Sequence, residues 1–374
     1  MASQAEVLIA GGGLAGAAVA TLVAQQGRTV EIIEKSATAH DTVCGEFLSR
    51  EAVLYLEQLG IDLHVLGAVP IRGMRLFASR LIAECALPFA AMSLTRRVLD
   101  EALLTRAASA GANVLRGQRV ETLVREGSGW TARLSDGLYR CAAHAFLATG
   151  KQDVHGHARA RGVQNNLVAF KMYFRLTPAQ MAELNGHVEL ILFPGGYAGL
   201  QPVEDGVANL CLLVTSKKLR QCAGDWTRVL AAMQGASEHL AQRLQGAEAL
   251  LGKPLALSAI PYGMLRAHAE DGLWRLGDQA AVIPSFSGDG MSIALHSAHL
   301  AAAMYLGGRT AEEFQQQLQR EIRPSIAFAT TLSRIMIACP AAAQMVRLWP
   351  PLLRQIASQT RVPVRALLTS RVDP

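Results

Sequence analysis

The chain has 374 residues and a mass of 40.0 kDa, enough for two domains or one large one with a substantial core. Hydrophobic residues make up 51% of it and charged residues 18%, a balance that excludes a disordered chain. The net charge of +6 comes without a block rich in Lys and Arg. A nucleic-acid partner is therefore not expected, whereas attraction to an anionic cofactor or a membrane surface stays open.

Along the chain, the first elements form a strand, a turn and a helix. Residues 5–10 are typical of a short strand, three glycines follow, an Ala-rich helix runs to about Gln26, and residues 29–34 form a second strand. The stretch Val7–Ala24 carries no charge and reaches the minimum length of a membrane span. The glycines inside it favour the strand–turn–helix interpretation, so we expect no transmembrane span.

The later elements follow from hydrophobic periodicity and turn residues. Helices are predicted over 49–59, 97–110, 225–251 and 291–305, and from 311 onward the chain is predicted to be helical, interrupted by Pro324, Pro340 and Pro350-Pro351. Short strands are predicted within 114–134 and over 143–149. Strands of an antiparallel sheet are predicted over 167–176, 187–193 and 207–214, with a Gly-rich turn at 193–199.

The cysteines give no sign of a structural framework. All six are scattered, without a C-x-x-C pair or the spacing of metal ligands. Neither a disulfide scaffold nor a metal site is therefore predicted, and a reducing, cytoplasmic location is expected. No basic segment precedes the first apolar stretch, so a signal peptide is not expected either.

A phosphate-binding pattern opens the chain. In Gly11-x-Gly13-x-x-Gly16, the first glycine permits a tight turn, the second lets the backbone approach a pyrophosphate, and the third brings the helix close to the strand. Glu34 ends the second strand, where a carboxylate can accept hydrogen bonds from an adenosine ribose. This strand–turn–helix context predicts dinucleotide binding; a purely structural glycine turn is the alternative.

A second glycine-rich segment lies far along the chain. Gly277-Asp278 follows a short strand, and Gly288-Asp289-Gly290-Met291 opens a predicted helix. An acid at a strand end can hold a ribityl hydroxyl, and backbone N–H groups at a helix start can face a flavin ring or its phosphate. Together with the first motif, this segment indicates FAD rather than NAD.

With Arg97-Val98-Leu99-Asp100 between them, the two segments resemble the FAD-dependent monooxygenase superfamily, which also contains geranylgeranyl reductases and flavin-dependent halogenases. The resemblance covers roughly residues 5–310. It implies an α/β fold: a glutathione-reductase-type, Rossmann-like FAD-binding domain interrupted by an antiparallel β-sheet substrate domain, with a helical C-terminus. The implied FAD-binding domain comprises residues 1–70, 95–165 and 270–310; the substrate domain comprises 71–94 and 166–269, and the C-terminal helices 311–374.

The resemblance also assigns cofactor contacts. Arg97 is expected near the phosphates or ribose of FAD, although Arg96 beside it could take the same role. The full set of expected FAD contacts is Gly11, Gly13, Leu14, Ala15, Gly16, Glu34, Lys35, Gly45, Arg97, Gly277, Asp278, Gly288, Gly290 and Met291. No second nucleotide-binding fingerprint occurs, so NAD(P)H is expected as a transient reductant in the active site, unless another donor supplies the electrons.

Two residues are candidates for catalysis. The pair Cys44-Gly45 resembles the Cys-Gly pair of the reductase branch, and the Cys44 thiol is a candidate proton donor near the flavin. Tyr197, on the Gly-rich turn, could line a pocket over the flavin. In each case the alternative is a packed residue without a chemical role.

Departures from the family motifs narrow the chemistry. Ala148-Thr149-Gly150 stands where hydroxylases usually carry an Asp-Gly motif, and the Trp-x-Trp-x-Ile-Pro motif of halogenases is absent, which disfavours halogenation. The Tyr-x-Trp-x-Phe-Pro motif of the reductases is not intact either, with Leu192-Phe193-Pro194 as a partial match. The sequence favours a flavoprotein monooxygenase that hydroxylates an apolar or aromatic small molecule. The alternatives are a reductase acting on a carbon–carbon double bond and a non-catalytic flavin-binding module.

The C-terminal region from Arg334 onward combines arginines with large apolar residues. Such basic amphipathic helices either cover the substrate pocket of their own protein or lie on an anionic membrane. We favour the first interpretation, and an apolar substrate fits both.

Overall fold

A computed structural model describes residues 5–78, 80–269, 271–339, 346 and 351–367. Over these residues the chain forms two β-sheets with helices packed around them, so the predicted α/β fold is confirmed. The predicted domain boundaries stay a prediction.

The first sheet has seven strands: β1 (Ala5–Ala10), β2 (Val30–Glu34), β6 (Asn113–Arg116), β7 (Val120–Glu126), β8 (Gly129–Leu134), β9 (Tyr139–Leu147) and β16 (Trp274–Arg275). Their order is β6-β2-β1-β9-β8-β7, with β16 paired to β9. The pairs β1–β2, β1–β9, β2–β6 and β9–β16 are parallel. Helices α1 (Leu14–Ala24), α2 (Arg50–Gln58), α3 (Arg96–Ser109) and α8 (Gly290–Leu306) contribute to the same core.

The second sheet has nine strands: β3 (Phe47–Leu48), β4 (Val69–Ala78), β5 (Arg80–Ser93), β10 (Leu167–Arg175), β11 (His187–Phe193), β12 (Gly196–Val203), β13 (Val207–Thr215), β14 (Glu248–Ala249) and β15 (Leu255–Ser258). Their order is β14-β10-β13-β12-β11-β4-β5-β3, with β15 paired to β10. Alternate side chains of β10, β12 and β13 pack against α6 (Trp226–Ala236) and α7 (Glu238–Arg243). Helices α4 (Pro178–Leu184) and α5 (Ser216–Gln221) lie in the connections.

Two predicted helical stretches need correction. Pro324 does not interrupt the C-terminal helix but lies inside α9 (Ala311–Ala338), which Thr310 and Glu313 begin with a reciprocal capping box. The stretch 225–251 is not one helix, because Ser237 ends α6 and caps α7, and β14 follows. Pro340 and Pro350 lie outside the described residues, and α10 (Pro351–Gln359) begins at the second proline of that pair.

The charge-free stretch Val7–Ala24 divides as its glycines predict. It contains most of β1, the turn and α1, and α1 has 11 residues. Across the part of the chain that the structure describes, no helix has the length and apolar character required to cross a membrane.

Candidate functional site

One large cavity lies between the two sheets and has a volume of about 760 Å³. Residues of both sheets, the turn after β1, the start of α8 and the helices α9 and α10 line it. We call it the central cavity. Most of the residues predicted at the functional site face it, although they are scattered along the sequence.

Two glycines at the turn after β1 occupy positions where a side chain would overlap the backbone. Gly11 has a φ of +102°, and a Cβ there would lie 2.5 Å from the carbonyl oxygen of Ala148. A Cβ on Gly16 would lie 1.9 Å from the carbonyl oxygen of Gly11. These two glycines therefore hold α1 against β1 and bring the helix start to the central cavity.

Gly13 differs from Gly11 and Gly16 because the space that a side chain there would occupy is open. Of the surrounding atoms, only Arg96 Nη2 would come within 4 Å of a Cβ at Gly13, at 3.3 Å. Gly13 is the N-cap of α1, and no side chain caps that helix start. The first N–H groups of α1 therefore face the cavity beside Gly13, Leu14 and Ala15, an arrangement suited to a phosphate.

Glu34 ends β2 beside this turn. Its Oε2 accepts a hydrogen bond of 2.7 Å from the Gly12 N–H, and its Oε1 accepts one of 2.9 Å from the Ser36 N–H. These bonds fix the carboxylate at the cavity wall, and each oxygen can accept a further bond from a ribose hydroxyl. Lys35 lines the wall next to it, where burial lowers the pKa of its ammonium despite the nearby Glu34 charge.

Of the two neighbouring arginines, Arg96 lies closer to the glycine turn. It pairs with Asp100 through two hydrogen bonds of 2.8 and 2.9 Å. Burial opposes its charge, but Asp100 and the Cys44 sulfur outweigh this effect and hold the pKa of Arg96 above its ordinary value. Arg97 also lines the cavity, but its side chain is 57% exposed and lies 3.6 Å from Asp41.

The second glycine-rich segment reaches the same cavity. Gly277, Asp278, Gly288, Gly290 and Met291 all line it. The Gly277 N–H donates a 2.9 Å hydrogen bond to the Ser297 hydroxyl of α8, and a Cβ at Gly290 would meet no atom within 4 Å. The structure thus brings the two predicted nucleotide segments to one cavity, with open space at the start of both helices.

Cys44 lies on the loop that joins the first sheet to β3, and it is half-buried at the cavity wall with Gly45. Its sulfur accepts a 3.4 Å hydrogen bond from the Glu46 N–H and contacts the Arg96 guanidinium. The thiol of Cys44 thus lies at the cavity wall beside a cationic side chain, and its role as a proton donor stays a prediction.

The network behind Cys44 was not found by sequence reasoning. Glu46 is fully buried at a φ of +63°, and its carboxylate accepts hydrogen bonds from Lys171 Nζ at 2.5 Å, Tyr173 at 2.8 Å and Asn209 Nδ2 at 2.9 Å. It also accepts a 2.8 Å bond from the Arg96 N–H. Burial raises the pKa of Glu46, against the opposing charge of Lys171. Glu46 therefore joins the Cys44 loop, α3 and the second sheet.

Tyr197 lies on β12, because the predicted turn narrows to Pro194-Gly195 between β11 and β12. Its ring is 2% exposed and packs in the core behind the cavity wall. Its hydroxyl makes a 3.0 Å hydrogen bond with the Ser285 hydroxyl, and Ser285 lines the cavity. Burial raises the pKa of Tyr197. A catalytic role for Tyr197 stays a prediction.

The part of the cavity away from the glycine turn is apolar. The second sheet contributes Leu190, Leu192 and Leu213, α9 contributes Leu332 and Met336, and α10 contributes Leu352, Leu353 and Ile356. The C-terminal helix α10 therefore covers the cavity of its own chain, as the favoured interpretation of its sequence predicts.

A buried ion pair fixes the segment after α10. Arg361 lies 3.2 Å from Asp289, the residue before α8, and its guanidinium stacks 4.2 Å from the centre of the Phe89 ring. The Val362 N–H donates a 3.0 Å bond to the other Asp289 oxygen. Burial raises the pKa of Asp289 to about 6, against the opposing charge of Arg361. Helix α10, which covers the cavity, is thus attached to the start of α8, where a flavin ring is expected.

These residues fit FAD. The uncapped α1 start and Arg96 suit a pyrophosphate, Glu34 suits a ribose, and Asp278 suits ribityl hydroxyls. The open spaces at Gly13 and Gly290 leave room for a group that approaches the backbone closely.

Comparison with known proteins supports this assignment. Residues 4–141 match the family described as FAD binding domain. The chain is 26% identical over 327 residues to a menaquinone reductase of Mycolicibacterium smegmatis, which covers 82% of this chain and 78% of that protein. It is 39% identical to squalene monooxygenase SE1 of Panax ginseng over 62 residues, which covers 17% of this chain and 12% of that protein.

Among solved structures, the flavin-dependent brominase Bmp2 has a similar fold. It superposes with a TM-score of 0.78 over 98% of this chain and 96% of its own, at 17% sequence identity. This likeness establishes the fold, and the match to the FAD binding domain supports FAD as the cofactor.

Proposed function

We propose that this chain, which resembles FAD-dependent monooxygenases and related flavin-dependent reductases, reduces a carbon–carbon double bond in an apolar molecule. It is an FAD-dependent oxidoreductase, so the alternative of a non-catalytic flavin module is set aside. The observation that carries the proposal is the position of Cys44, between the nucleotide segments and the apolar wall, with Arg96 beside its sulfur.

The chemistry requires a hydride and a proton. FAD, when bound and reduced, would supply the hydride to one carbon of the double bond. The Cys44 thiol donates the proton to the other carbon, and Arg96 stabilises the thiolate that remains until solvent returns a proton. The network around Glu46 holds the Cys44 loop in place, and the apolar walls exclude water. NAD(P)H, as a transient donor, would restore the two electrons.

The relatives favour double-bond reduction over hydroxylation, whereas the sequence alone favours hydroxylation. The match to the menaquinone reductase extends over 327 residues, whereas the match to the squalene monooxygenase covers 62. Menaquinone and squalene both contain isoprenoid chains. An isoprenoid or similar unsaturated chain would fit the leucine-rich walls of the central cavity.

Hydroxylation of an apolar or aromatic molecule is the second candidate. It is favoured by the local match to squalene monooxygenase and by the enclosed apolar wall, because oxygen transfer also requires a dry site. In that case Cys44 would be dispensable, since the substrate would gain one oxygen atom from O2 and no protein acid would have to protonate a carbon.

The product mass separates the two candidates. We expect FAD-loaded protein, reduced anaerobically with NADPH or dithionite, to convert geranylgeraniol or menaquinone to a product that gains two hydrogen atoms. Cys44→Ala should lower this rate by about a hundredfold or more, the usual contribution of a general acid, without changing FAD content. The matched control is Cys211→Ala, which alters another cysteine of the cavity wall and should retain the rate.

Two results would contradict the proposal. One is a product that gains an oxygen atom in air at the same rate in the wild type and in Cys44→Ala, which would identify a monooxygenase. The other is loss of reduction in Cys211→Ala but not in Cys44→Ala, which would move the proton donor to the second sheet.

A further inference from the structure

An unpaired amide interrupts the apolar wall of the central cavity. Gln201 on β12 is 3% exposed and lines the cavity, yet its Nε2 is buried and has no hydrogen-bond partner among the described residues. A buried amide donor without a partner is costly, and such groups are rarely left unsatisfied. Because Gln201 also lines the cavity, a rotation of its side-chain amide would let this donor bond a molecule that occupies the cavity.

The surroundings of Gln201 are polar but carry no net charge. Asn209 lies directly opposite it on β13. The Nδ2 of Asn209 donates to the carbonyl oxygens of Cys44 and Gly45, both at 3.1 Å, and to Glu46, which fixes the orientation of the amide. Its Oδ1 is left buried and without a partner. Because the Glu46 carboxylate is paired with the Lys171 ammonium, this end of the sheet suits an uncharged polar group rather than an ion.

Away from this end, the wall formed by the second sheet becomes apolar. On β11, β13 and β15 the cavity-lining residues include Val188, Leu190, Leu213 and Leu257. The helices α9 and α10 add further apolar side chains opposite them. A ligand that satisfies both regions has one uncharged oxygen at one end and an extended apolar body.

We propose that Gln201 is the polar anchor of the substrate site and binds a carbonyl or hydroxyl oxygen at the end of an otherwise apolar molecule. This inference rests on the proposed reduction of an apolar chain, and it adds the chemical class of the substrate: an uncharged amphiphile rather than a pure hydrocarbon or a charged lipid. The flavin also carries polar atoms, but most of its expected contacts lie on the β1–α1 turn, at the end of β2, on α3 and between Gly277 and Met291, whereas Gln201 belongs to the second sheet.

Binding, rather than turnover, tests the anchor. FAD-loaded protein in a neutral detergent is titrated with geranylgeraniol, with its phosphate monoester and with the C20 hydrocarbon that lacks the hydroxyl. We expect the alcohol to bind about tenfold more tightly than the hydrocarbon, the effect of one hydrogen bond, and the phosphate to bind more weakly than the alcohol. Gln201→Met should remove the preference for the alcohol and leave the hydrocarbon affinity unchanged. Leu190→Met, a control on the same cavity wall, should retain the preference.

Three outcomes would overturn the anchor. The first is an unchanged preference in Gln201→Met. The second is a shifted flavin absorption spectrum or lost FAD in that variant with equal weakening of both ligands, which would make the flavin the partner of Gln201. The third is equal binding of the alcohol and the hydrocarbon by the wild type, which would mean that the Gln201 amide bonds a water molecule rather than the substrate. A normal preference combined with no double-bond reduction would instead contradict the proposed function and support the anchor.

Discussion

The two ends of the central cavity are built in different ways. At the cofactor end, backbone groups of one short segment, from β1 to the start of α1, form the surface, and glycines make it possible. At the substrate end, side chains from many strands and from two C-terminal helices form it, and no single segment dominates. The first end is local in sequence and demands particular residues, whereas the second is assembled from distant ones and demands mainly apolar volume.

The Cys44 loop connects these two ends. Glu46, on the loop, bonds to Arg96 at the cofactor end and to Lys171 and Asn209 at the substrate end. A change at the cofactor end should therefore disturb FAD binding alone, and a change at the substrate end should disturb substrate binding alone. A change in the Cys44 loop should disturb both. The experiments below apply this distinction.

The largest effect is expected at the glycine turn. Gly13→Val should give folded but colourless protein, with FAD binding weakened more than about tenfold. The reason is that the added methyl groups would occupy space that only the cofactor needs. Gly16→Val should prevent folding itself, because its Cβ would overlap the Gly11 carbonyl. Flavin absorbance and circular dichroism separate the two results.

A glycine outside the site provides the control for this pair. Gly235 in α6 has no atom within 4 Å of an added Cβ, so Gly235→Ala should retain both fold and FAD. A yellow Gly13→Val protein would show that the open space at α1 serves no cofactor, and the contrast between the two ends would fail.

A smaller but measurable loss of stability is expected at the ion pair of Glu46 and Lys171, which connects the Cys44 loop to the second sheet. Lys171→Met leaves the Glu46 carboxylate buried without its cation, which should lower the free energy of unfolding by about 3–5 kcal/mol. It should also slow the reaction that depends on Cys44. Arg175→Met is the matched control on the same strand: its pair with Glu248 is more than half exposed, so it should cost less than about 1 kcal/mol. Equal losses in urea unfolding would show that the buried pair does not hold the loop.

The sequence marks the residues of the cofactor end by a local pattern and does not mark those of the substrate end, for a physical reason. The glycine pattern and Glu34 lie within one strand–turn–helix unit, so their spacing alone indicates their role. Glu46, Lys171 and Asn209 come together only through the pairing of strands far apart in the chain, and no local pattern marks them. The long strands β4 and β5 and the strand β12, which carries Gln201, were likewise not identified, because Gly-rich and irregular apolar runs do not show a clear period of two.

The smallest expected effect concerns Tyr197, which the sequence offered as a catalytic candidate and the structure places behind the cavity wall. Tyr197→Phe removes one hydrogen bond to Ser285 and keeps the ring packing, so it should lower the free energy of unfolding by about 1 kcal/mol. Turnover should stay within about twofold of the wild type, since the hydroxyl positions Ser285 rather than reaching the substrate. Tyr139→Phe, at an exposed ring, should change neither quantity. If Tyr197→Phe instead lowers turnover more than about tenfold at unchanged stability, the hydroxyl takes part in the reaction, and the substrate end depends on a particular residue as strictly as the cofactor end does.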